Sequence, residues 1–321
     1  MDIFLAVLIL TSLSVCLYLR LKKSKAHEGF KNFPIVGTLP LFLWNRHRYL
    51  DWTAEVISNC RTSTAVFRRP GKVHGVITAN PDVVEHMLKT HFENYPKGER
   101  FVSLLEDFLG GGIFNSDGEI WRVQRKTASY EFNTRSLRNF VMENVAMEIG
   151  RRLIPVFERA SETGRVLDLQ DVLERFSFDN VCKLAFDYDP GCLGGDGTTG
   201  AEFMRAFANA ATLSYGRYVF YCSLIIGAFV IGTCSLLPSQ YYVIAKSPFR
   251  FPVFHAGPRM CLGKDMAFIQ MKSIAAAVIE RFHVEVVENE KAPKYLLSLT
   301  LRMENGLQVM LKKRHTMDLL S

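Results

Sequence analysis

The sequence has no Cys-x-x-Cys pair and no regular cysteine framework, because its seven cysteines are scattered along 321 residues. A disulfide-stabilised domain has an even count at regular spacings, so this pattern favours reduced thiols in a protein that faces the cytosol. The sequence also has no basic run interleaved with aromatic residues, a feature that proteins use to bind nucleic acid. Nucleic acid is therefore not an expected partner.

Acidic residues are fewer than basic ones, 32 Asp and Glu against 39 Lys and Arg, which gives a net charge of +7 and an isoelectric point near 9.0. That balance suits an anionic membrane surface or an acidic protein partner. The hydrophobic fraction of 48% is sufficient for a core. The length corresponds to about two average domains or one large one.

The chain begins with an apolar segment, Ile3–Leu19, that has no basic residue before it and no small-residue cleavage site after it. A cleaved signal peptide has both features, so the segment is interpreted as an uncleaved helical anchor at the lower limit of spanning length. Basic residues at positions 20–25 follow it, and the positive-inside rule places the rest of the chain in the cytosol. We predict a membrane anchor at residues 1–21, followed by a basic, proline-rich hinge at residues 22–45.

Apolar periodicity and turn signals predict a mainly α-helical chain with small β-sheets. Strands are expected at Thr64–Arg68 and Val73–Thr78. A helix starts at Asn80-Pro81, since Asn is a good N-cap and Pro is tolerated in the first turn. Further helices are predicted from the capping box Ser116-x-x-Glu119 onward, over Leu137–Arg159, over Phe176–Phe186 and after Gly263, where the apolar stripe comprises Ala267, Met271, Ile274, Ala275, Val278 and Phe282.

Two other segments have distinctive patterns. Alternating leucines in Leu297–Leu301 and Leu307–Leu311 flank Asn305-Gly306, which predicts a β-hairpin. The nearly uncharged run Tyr218–Leu237 has the length of a bilayer span. A second membrane helix and a buried helix both remain open for this run. A two-span transporter or structural membrane protein would rest on this run alone, and nothing polar inside it suggests a pathway.

The stretch from Phe254 to Gly263 places one cysteine, Cys261, in a tight loop. A thiolate at Cys261 can bind iron, and Phe254 can shield the sulfur from water. Arg259 keeps its charge where water is scarce and can pair with a carboxylate. Gly257 and Gly263 let the backbone approach a flat ligand where a Cβ would collide.

This stretch resembles the cysteine loop of the cytochrome P450 haem-thiolate monooxygenases, Phe-x-x-Gly-x-Arg-x-Cys-x-Gly, and all five fixed positions match. The resemblance implies a haem cofactor, iron protoporphyrin IX. Trp121 and Arg125, four residues apart on one predicted helix face, resemble the Trp and Arg with which the family binds a haem propionate. The implied haem-binding residues are Cys261 as the metal ligand, Arg259, Phe254, Gly257, Gly263, Trp121 and Arg125. Catalytic residues remain unassigned.

Three further stretches resemble the plant P450 clan of fatty-acid hydroxylases, namely Tyr95-Pro96-Lys97-Gly98, Gly112–Gly118 and Trp121-x-x-Gln124-Arg125-Lys126. The resemblance implies hydroxylation of a fatty acid or related aliphatic substrate with O2, with Lys97–Phe114 bordering the substrate. Electrons would come from NADPH-cytochrome P450 reductase, so NADPH acts only indirectly. The implied location is the endoplasmic reticulum membrane, with the domain on the cytosolic side.

The chain departs from this family between Phe207 and Ser247. Family members are longer and carry there an oxygen-binding helix with an acid-Thr pair, followed by a Glu-x-x-Arg helix. Gly194–Thr199 is only superficially similar to the acid-Thr motif, because its glycine density cannot sustain a helix. The expected fold is an incomplete cytochrome P450 domain over residues 46–321, with an atypical apolar run at 218–237. A catalytically inactive, truncated P450-like membrane protein is the alternative function.

Overall fold

The computed structural model describes residues 29–69, 73–132, 135–194, 200–224, 247–287, 294–296 and 300–314, together with Thr11 and Ser14. Two compact units are formed: residues 1–100 with 218–261, and residues 101–217 with 262–321. Apart from Thr11 and Ser14, the predicted anchor Ile3–Leu19 lies outside the described residues. Among the residues that are described, no helix combines the length and the apolar character needed to cross a bilayer.

The expected fold class, mainly helical with small sheets, is confirmed. The α-helices are α1 Leu39–Trp44, α2 Tyr49–Ser58, α3 Pro81–Glu85, α4 Glu99–Leu109, α5 Gly118–Phe132, α6 Arg135–Glu148, α7 Ile154–Thr163, α8 Leu169–Phe186, α9 Ala201–Leu224 and α10 Lys264–Arg281. The strands are β1 Thr64–Arg69, β2 Val73–Thr78, β3 Leu167–Asp168, β4 Phe282–Val286, β5 Tyr295–Leu296, β6 Arg302–Met303 and β7 Gln308–Lys313. Helix α9 covers the start of the run Tyr218–Leu237, whose residues beyond 224 lie outside the described part.

The first unit contains the two strands that the sequence predicts. β1 and β2 pair antiparallel, from Thr64 opposite Thr78 to Arg69 opposite Val73. Phe67 of β1 and Ile77 of β2 belong to a hydrophobic core that also contains Phe30, Phe42, Trp52 and Ile57. The proline-rich stretch is part of this packing, since Pro40 lies in the first turn of α1, and Phe42 in the same helix is buried.

The helix predicted at Asn80-Pro81 is also confirmed. The Asn80 side chain accepts a hydrogen bond from the Asp82 N–H at 3.0 Å, which satisfies one of the open donors of the first turn. Helix α3 then continues as a π-turn, His86–Thr90, in which Met87 is buried. Local capping chemistry accounts for the start of this helix, whereas the π-turn has no signal in the sequence.

The second unit has a larger core, drawn from α6, α7, α8, α10 and the sheet β3-β7-β4. The predicted helix Leu137–Arg159 is present as α6, a π-turn at Ile149–Leu153, and α7, with Pro155 in the first turn of α7. The core members with the least exposure are Val145, Leu153, Phe157, Phe176, Phe282 and Val309.

A buried acidic side chain, Asp179 of α8, holds the start of the glycine-rich loop. Its carboxylate accepts the N–H groups of Cys192 at 2.8 Å and Leu193 at 2.9 Å. Arg152 lies 3.7 Å from the same carboxylate and donates hydrogen bonds to Asp189, which lowers the pKa of Asp189. Residues 191–194 form a turn, and residues 195–199 of the predicted surface loop lie outside the described part.

The predicted C-terminal hairpin is wrong. A turn does form at Asn305-Gly306, but β7 pairs with β3 and β4, while β6 pairs with β5. The chain after the turn is bound at the N-terminus of α8, because the Asp168 carboxylate accepts a hydrogen bond from the Leu307 N–H at 3.0 Å. A Cβ on Gly306 would overlap that carboxylate. Alternation of leucines indicates strands but does not specify their partners.

The predicted apolar stripe of α10 is only partly correct. Val278 is buried, but Met271 is 49% exposed, and Ala275 is also exposed. The partly buried residues that face the core are Met266, Ile269, Ile274 and Ala277. Phe282 is buried as the first residue of β4. The core therefore contacts a neighbouring face of this helix. The helix packs against α6 and β4, and this packing determines which face is turned to the core.

Candidate functional site

The cysteine loop is closed by a backbone hydrogen bond between Cys261 and Phe254. Cys261 donates its N–H to the Phe254 carbonyl oxygen at 2.8 Å, so the loop forms a ring around the residues between them. One short 3-10 turn, Pro252–Phe254, leads into this ring, and a second, Gly257–Arg259, lies within it. Cys261 is exposed, and Phe254 is half-buried. The thiol is therefore open to a ligand that approaches from outside the loop.

The backbone of this loop is unusual at His255. This residue has φ 62° and ψ −176°, a conformation that glycine adopts readily and that costs other residues about 1–3 kcal/mol. Its ring Nδ1 lies 2.9 Å from the Ala256 carbonyl oxygen, and Ala256 is fully buried. Such strain persists only where the surrounding structure holds it, and it is concentrated at functional sites.

The two glycines of the loop have different roles. Gly257 has φ 66°, and a Cβ there would overlap the Leu88 carbonyl oxygen, so the close approach at this position is to protein backbone. Gly263 has φ −81° and occupies the N-cap position of α10, which begins at Lys264. Arg259 places its guanidinium 5.7 Å from the centre of the Phe92 ring, within the range of a cation–π contact.

Trp121 and Arg125 lie on one helix, α5, as predicted, but in the second unit, whereas Phe254, Gly257, Arg259 and Cys261 lie in the first. Trp121 is 6% exposed, and Arg125 is half-buried. With Ser116 as the N-cap, this helix would begin at Asp117. It begins one residue later, at Gly118. The Ser116 hydroxyl donates to Gln124 Oε1 at 3.2 Å.

Sequence reasoning missed Asn115 and Gln124 as positioning residues. Asn115 is 1% exposed, and its amide nitrogen donates to the carbonyl oxygens of Val102 at 2.8 Å and Gly110 at 2.9 Å. The Gln124 amide nitrogen donates to the Gly111 carbonyl oxygen at 2.9 Å. These two amides fasten the glycine turn between α4 and α5. The signals in the sequence were an Asn directly before the predicted capping box and the presence of both residues in stretches that resemble the family.

Replacing Asn115 by alanine is expected to lower the free energy of unfolding by about 1–3 kcal/mol, because two hydrogen bonds from a buried amide, to the carbonyl oxygens of Val102 and Gly110, are lost. Urea unfolding followed by circular dichroism measures the change. Asn94→Ala is the matched control, since Asn94 is exposed, and such surface changes usually stay within about 0.5 kcal/mol. Equal midpoints for Asn115→Ala and Asn94→Ala would contradict a clamp at Asn115.

The donor set suits haem better than a zinc or iron–sulfur centre. No group of three or more His, Cys, Asp or Glu residues in the described part of the chain is arranged to hold a metal ion. Structural zinc needs four protein ligands, whereas haem iron needs one axial protein ligand, which can be a Cys thiolate. A single exposed thiol in a closed loop, at Cys261, fits the second demand.

Comparison with known proteins agrees with this assignment. The family model "Cytochrome P450" matches residues 28–217 and 238–311, so the unmatched interval coincides with the apolar run 218–237. A solved six-coordinated cytochrome P450 from Thermus thermophilus superposes with a TM-score of 0.55 at 15% identity, over 82% of this chain and 98% of that chain. At this identity the likeness speaks for the fold alone.

Curated relatives are more similar in sequence. Cytochrome P450 CYP94D108 of Paris polyphylla is 35% identical over 457 positions, covering 87% of this chain and 91% of the relative. Those positions outnumber the residues of this chain, so part of the relative faces a gap. Cytochrome P450 94B3 of Arabidopsis thaliana is 46% identical over 190 residues, and 94A2 of Vicia sativa is 45% identical over 187, covering 59% and 58% of this chain but only 37% and 36% of those relatives. The chain belongs to the cytochrome P450 family.

Proposed function

We propose that this chain binds haem through the Cys261 thiolate and that its reaction is the monooxygenation of an aliphatic C–H bond in a fatty acid or a related substrate. The observation that carries the proposal is the exposed thiol in the loop closed by the Phe254–Cys261 hydrogen bond. The substrate class rests on the resemblance to the plant fatty-acid hydroxylases. In the reduced chain with carbon monoxide, we expect a thiolate-type Soret band, and its absence from haem-loaded protein would contradict the proposal.

The chain's own residues would hold the cofactor and keep water from the sulfur. Cys261 would ligate the iron, and half-buried Phe254 would shield the sulfur. Arg259, Arg125 and Trp121 would donate hydrogen bonds to the propionates. Bound haem supplies the activation of O2, with electrons from NADPH-cytochrome P450 reductase.

Arg125→Ala is expected to speed haem loss by about tenfold or more, because a propionate loses a charge-assisted hydrogen bond of about 1.5–3 kcal/mol. Arg259→Ala should act in the same direction. Transfer of haem to apomyoglobin measures the rate, and Arg122→Ala is the control, since Arg122 is 52% exposed and lies on the same helix. Haem loss from Arg125→Ala and Arg259→Ala at the wild-type rate would remove the propionate assignment.

We further propose that Ile3–Leu19 anchors the chain in the endoplasmic reticulum membrane, with the remainder in the cytosol. The proposal rests on the apolar segment and the basic residues that follow it. Deleting the first 25 residues, a length chosen to include those basic residues, is expected to release the protein from carbonate-washed membranes. Retention after the deletion would instead indicate a second membrane segment at Tyr218–Leu237.

The second candidate is that this chain does not hydroxylate any substrate, either as a protein that binds haem or as a truncated one that does not. The observation that favours it is the interruption of the family match between residues 217 and 238. In addition, this chain covers only 36% and 37% of the length of two of its relatives. The two candidates differ in whether haem-loaded chain yields hydroxylated product when reductase, NADPH and a long-chain fatty acid are supplied.

A further inference from the structure

The π-turn His86–Thr90 and the residues just after it form a well-defined segment in the first unit. The His91 N–H donates to the His86 carbonyl oxygen at 2.8 Å, and the two imidazole rings stack with their centres 4.2 Å apart. Phe92 follows directly. We call His86–Phe92 the π-segment. Turns of this kind are rare and often occur at functional sites.

The π-segment touches the cysteine loop and its approach at three places. Lys89 Nζ lies 5.5 Å from the centre of the Phe249 ring. The backbone of Leu88 lies against Gly257, and Phe92 lies under the Arg259 guanidinium at 5.7 Å. Arg259, which makes the last of these contacts, is two residues before Cys261 in the sequence.

The contact at Gly257 leaves no room for a side chain. A Cβ on Gly257 would overlap the Leu88 carbonyl oxygen and would approach the Leu88 carbonyl carbon to 2.8 Å. The positive φ of Gly257 adds backbone strain for any other residue. Since both contacting groups are backbone, they can separate only if the whole loop shifts.

We infer that the π-segment is the support that positions the cysteine loop, with Phe92 the positioning residue for Arg259. The loop then does not depend on the Glu-x-x-Arg helix that the family carries upstream of it and that this sequence lacks there. The inference deepens the proposed function, because the supported residue is the proposed iron ligand.

Limited trypsin digestion of the full chain, as purified and before haem is added, tests the support directly. The bond between Arg259 and Met260 is a tryptic site within the supported loop. Phe92→Leu is expected to speed cleavage there about two- to fivefold, through loss of the cation–π contact. Gly257→Ala is expected to speed it by about tenfold or more, since it adds a backbone clash to an unfavourable φ. Cleavage after Arg159 in the second unit serves as the internal reference.

The controls are matched in chemistry. Phe92→Tyr keeps an aromatic face and should restore the wild-type rate, and Phe186→Leu changes a phenylalanine that is 72% exposed. Gly216→Ala controls for the alanine, because a Cβ at Gly216 meets nothing within 4 Å. Wild-type cleavage at Arg259 in Phe92→Leu would overturn the inference, and this variant alone decides it if Gly257→Ala does not fold.

Failure of the inference can be distinguished from failure of the proposed function. The digestion needs no haem, so a chain that takes up none would still report on the support of the loop. A second measurement uses the haem-loaded protein: Phe92→Leu should lose part of the thiolate-type Soret band with carbon monoxide, while Phe92→Tyr retains it. A full band in Phe92→Leu would also count against the inference.

Discussion

Cys261→Ser is expected to abolish the thiolate-type Soret band of the reduced, carbon monoxide-treated protein. The thiolate is the form of cysteine that ligates metals, and a serine hydroxyl does not ionise in the same way. Carbon monoxide difference spectra of wild type and variant, at equal protein concentration, measure the effect. A variant spectrum equal to that of the wild type would rule out Cys261 as the iron ligand.

Cys60→Ser is the control for this substitution. Cys60 lies in the same unit, is buried, and its Sγ donates to the Val56 carbonyl oxygen at 3.1 Å, a hydrogen bond that a serine hydroxyl can also make. The band should therefore persist. Cys192 is not expected to replace Cys261, because its side chain is fully buried, and burial also raises its pKa to about 12.

Restoring the missing central segment is expected to raise fatty-acid hydroxylation by ~10²–10⁴-fold, the usual contribution of a positioned proton donor. Family members carry an acid and a threonine that would supply protons at the haem site. In the sequence of this chain, Tyr218–Leu237 stands where the family has that segment, and it contains no acidic residue. Without that segment, this chain should therefore form little hydroxylated fatty acid.

The comparison uses this chain and a version with the family's segment inserted between residues 217 and 238. Both are assayed at equal haem content with a plant reductase, NADPH and a long-chain fatty acid, and product is measured by mass spectrometry. Equal haem content matters because it separates proton delivery from cofactor binding. Comparable product from the two chains would show that the missing segment is not needed.

Local features could be predicted from the sequence because their physics is local. The strands around residues 69–73 follow from alternation and a turn, and the start of α3 follows from an Asn side chain bonding the N–H two residues on. The chemistry expected of Cys261 also follows from neighbours in sequence. The atypical character of 218–237 was visible too, and the family match is interrupted over the same residues.

Features that depend on distant parts of the chain could not be predicted in the same way. The leucines after Gly306 were expected to pair with those before it, but Asp168, far away in sequence, binds the Leu307 N–H and directs β7 to β3 and β4. Met271 was expected to be buried, but the core contacts a different face of α10. Each outcome depends on which elements meet, and apolar spacing within one segment does not encode that choice.

The sequence by itself determined the resemblance of the cysteine loop to the family's motif, the choice of Cys261 as the proposed iron ligand, and the absence of the family's acid-Thr pair from its usual place. Only the tertiary structure decided what holds that loop. It shows Gly257 against the Leu88 backbone and Arg259 over Phe92, two contacts that join stretches far apart in the sequence. The physical reason is that the chemistry of a ligand depends on the type of side chain, which can be read from the sequence. The support of the loop depends on packing between distant segments, which only folding brings together.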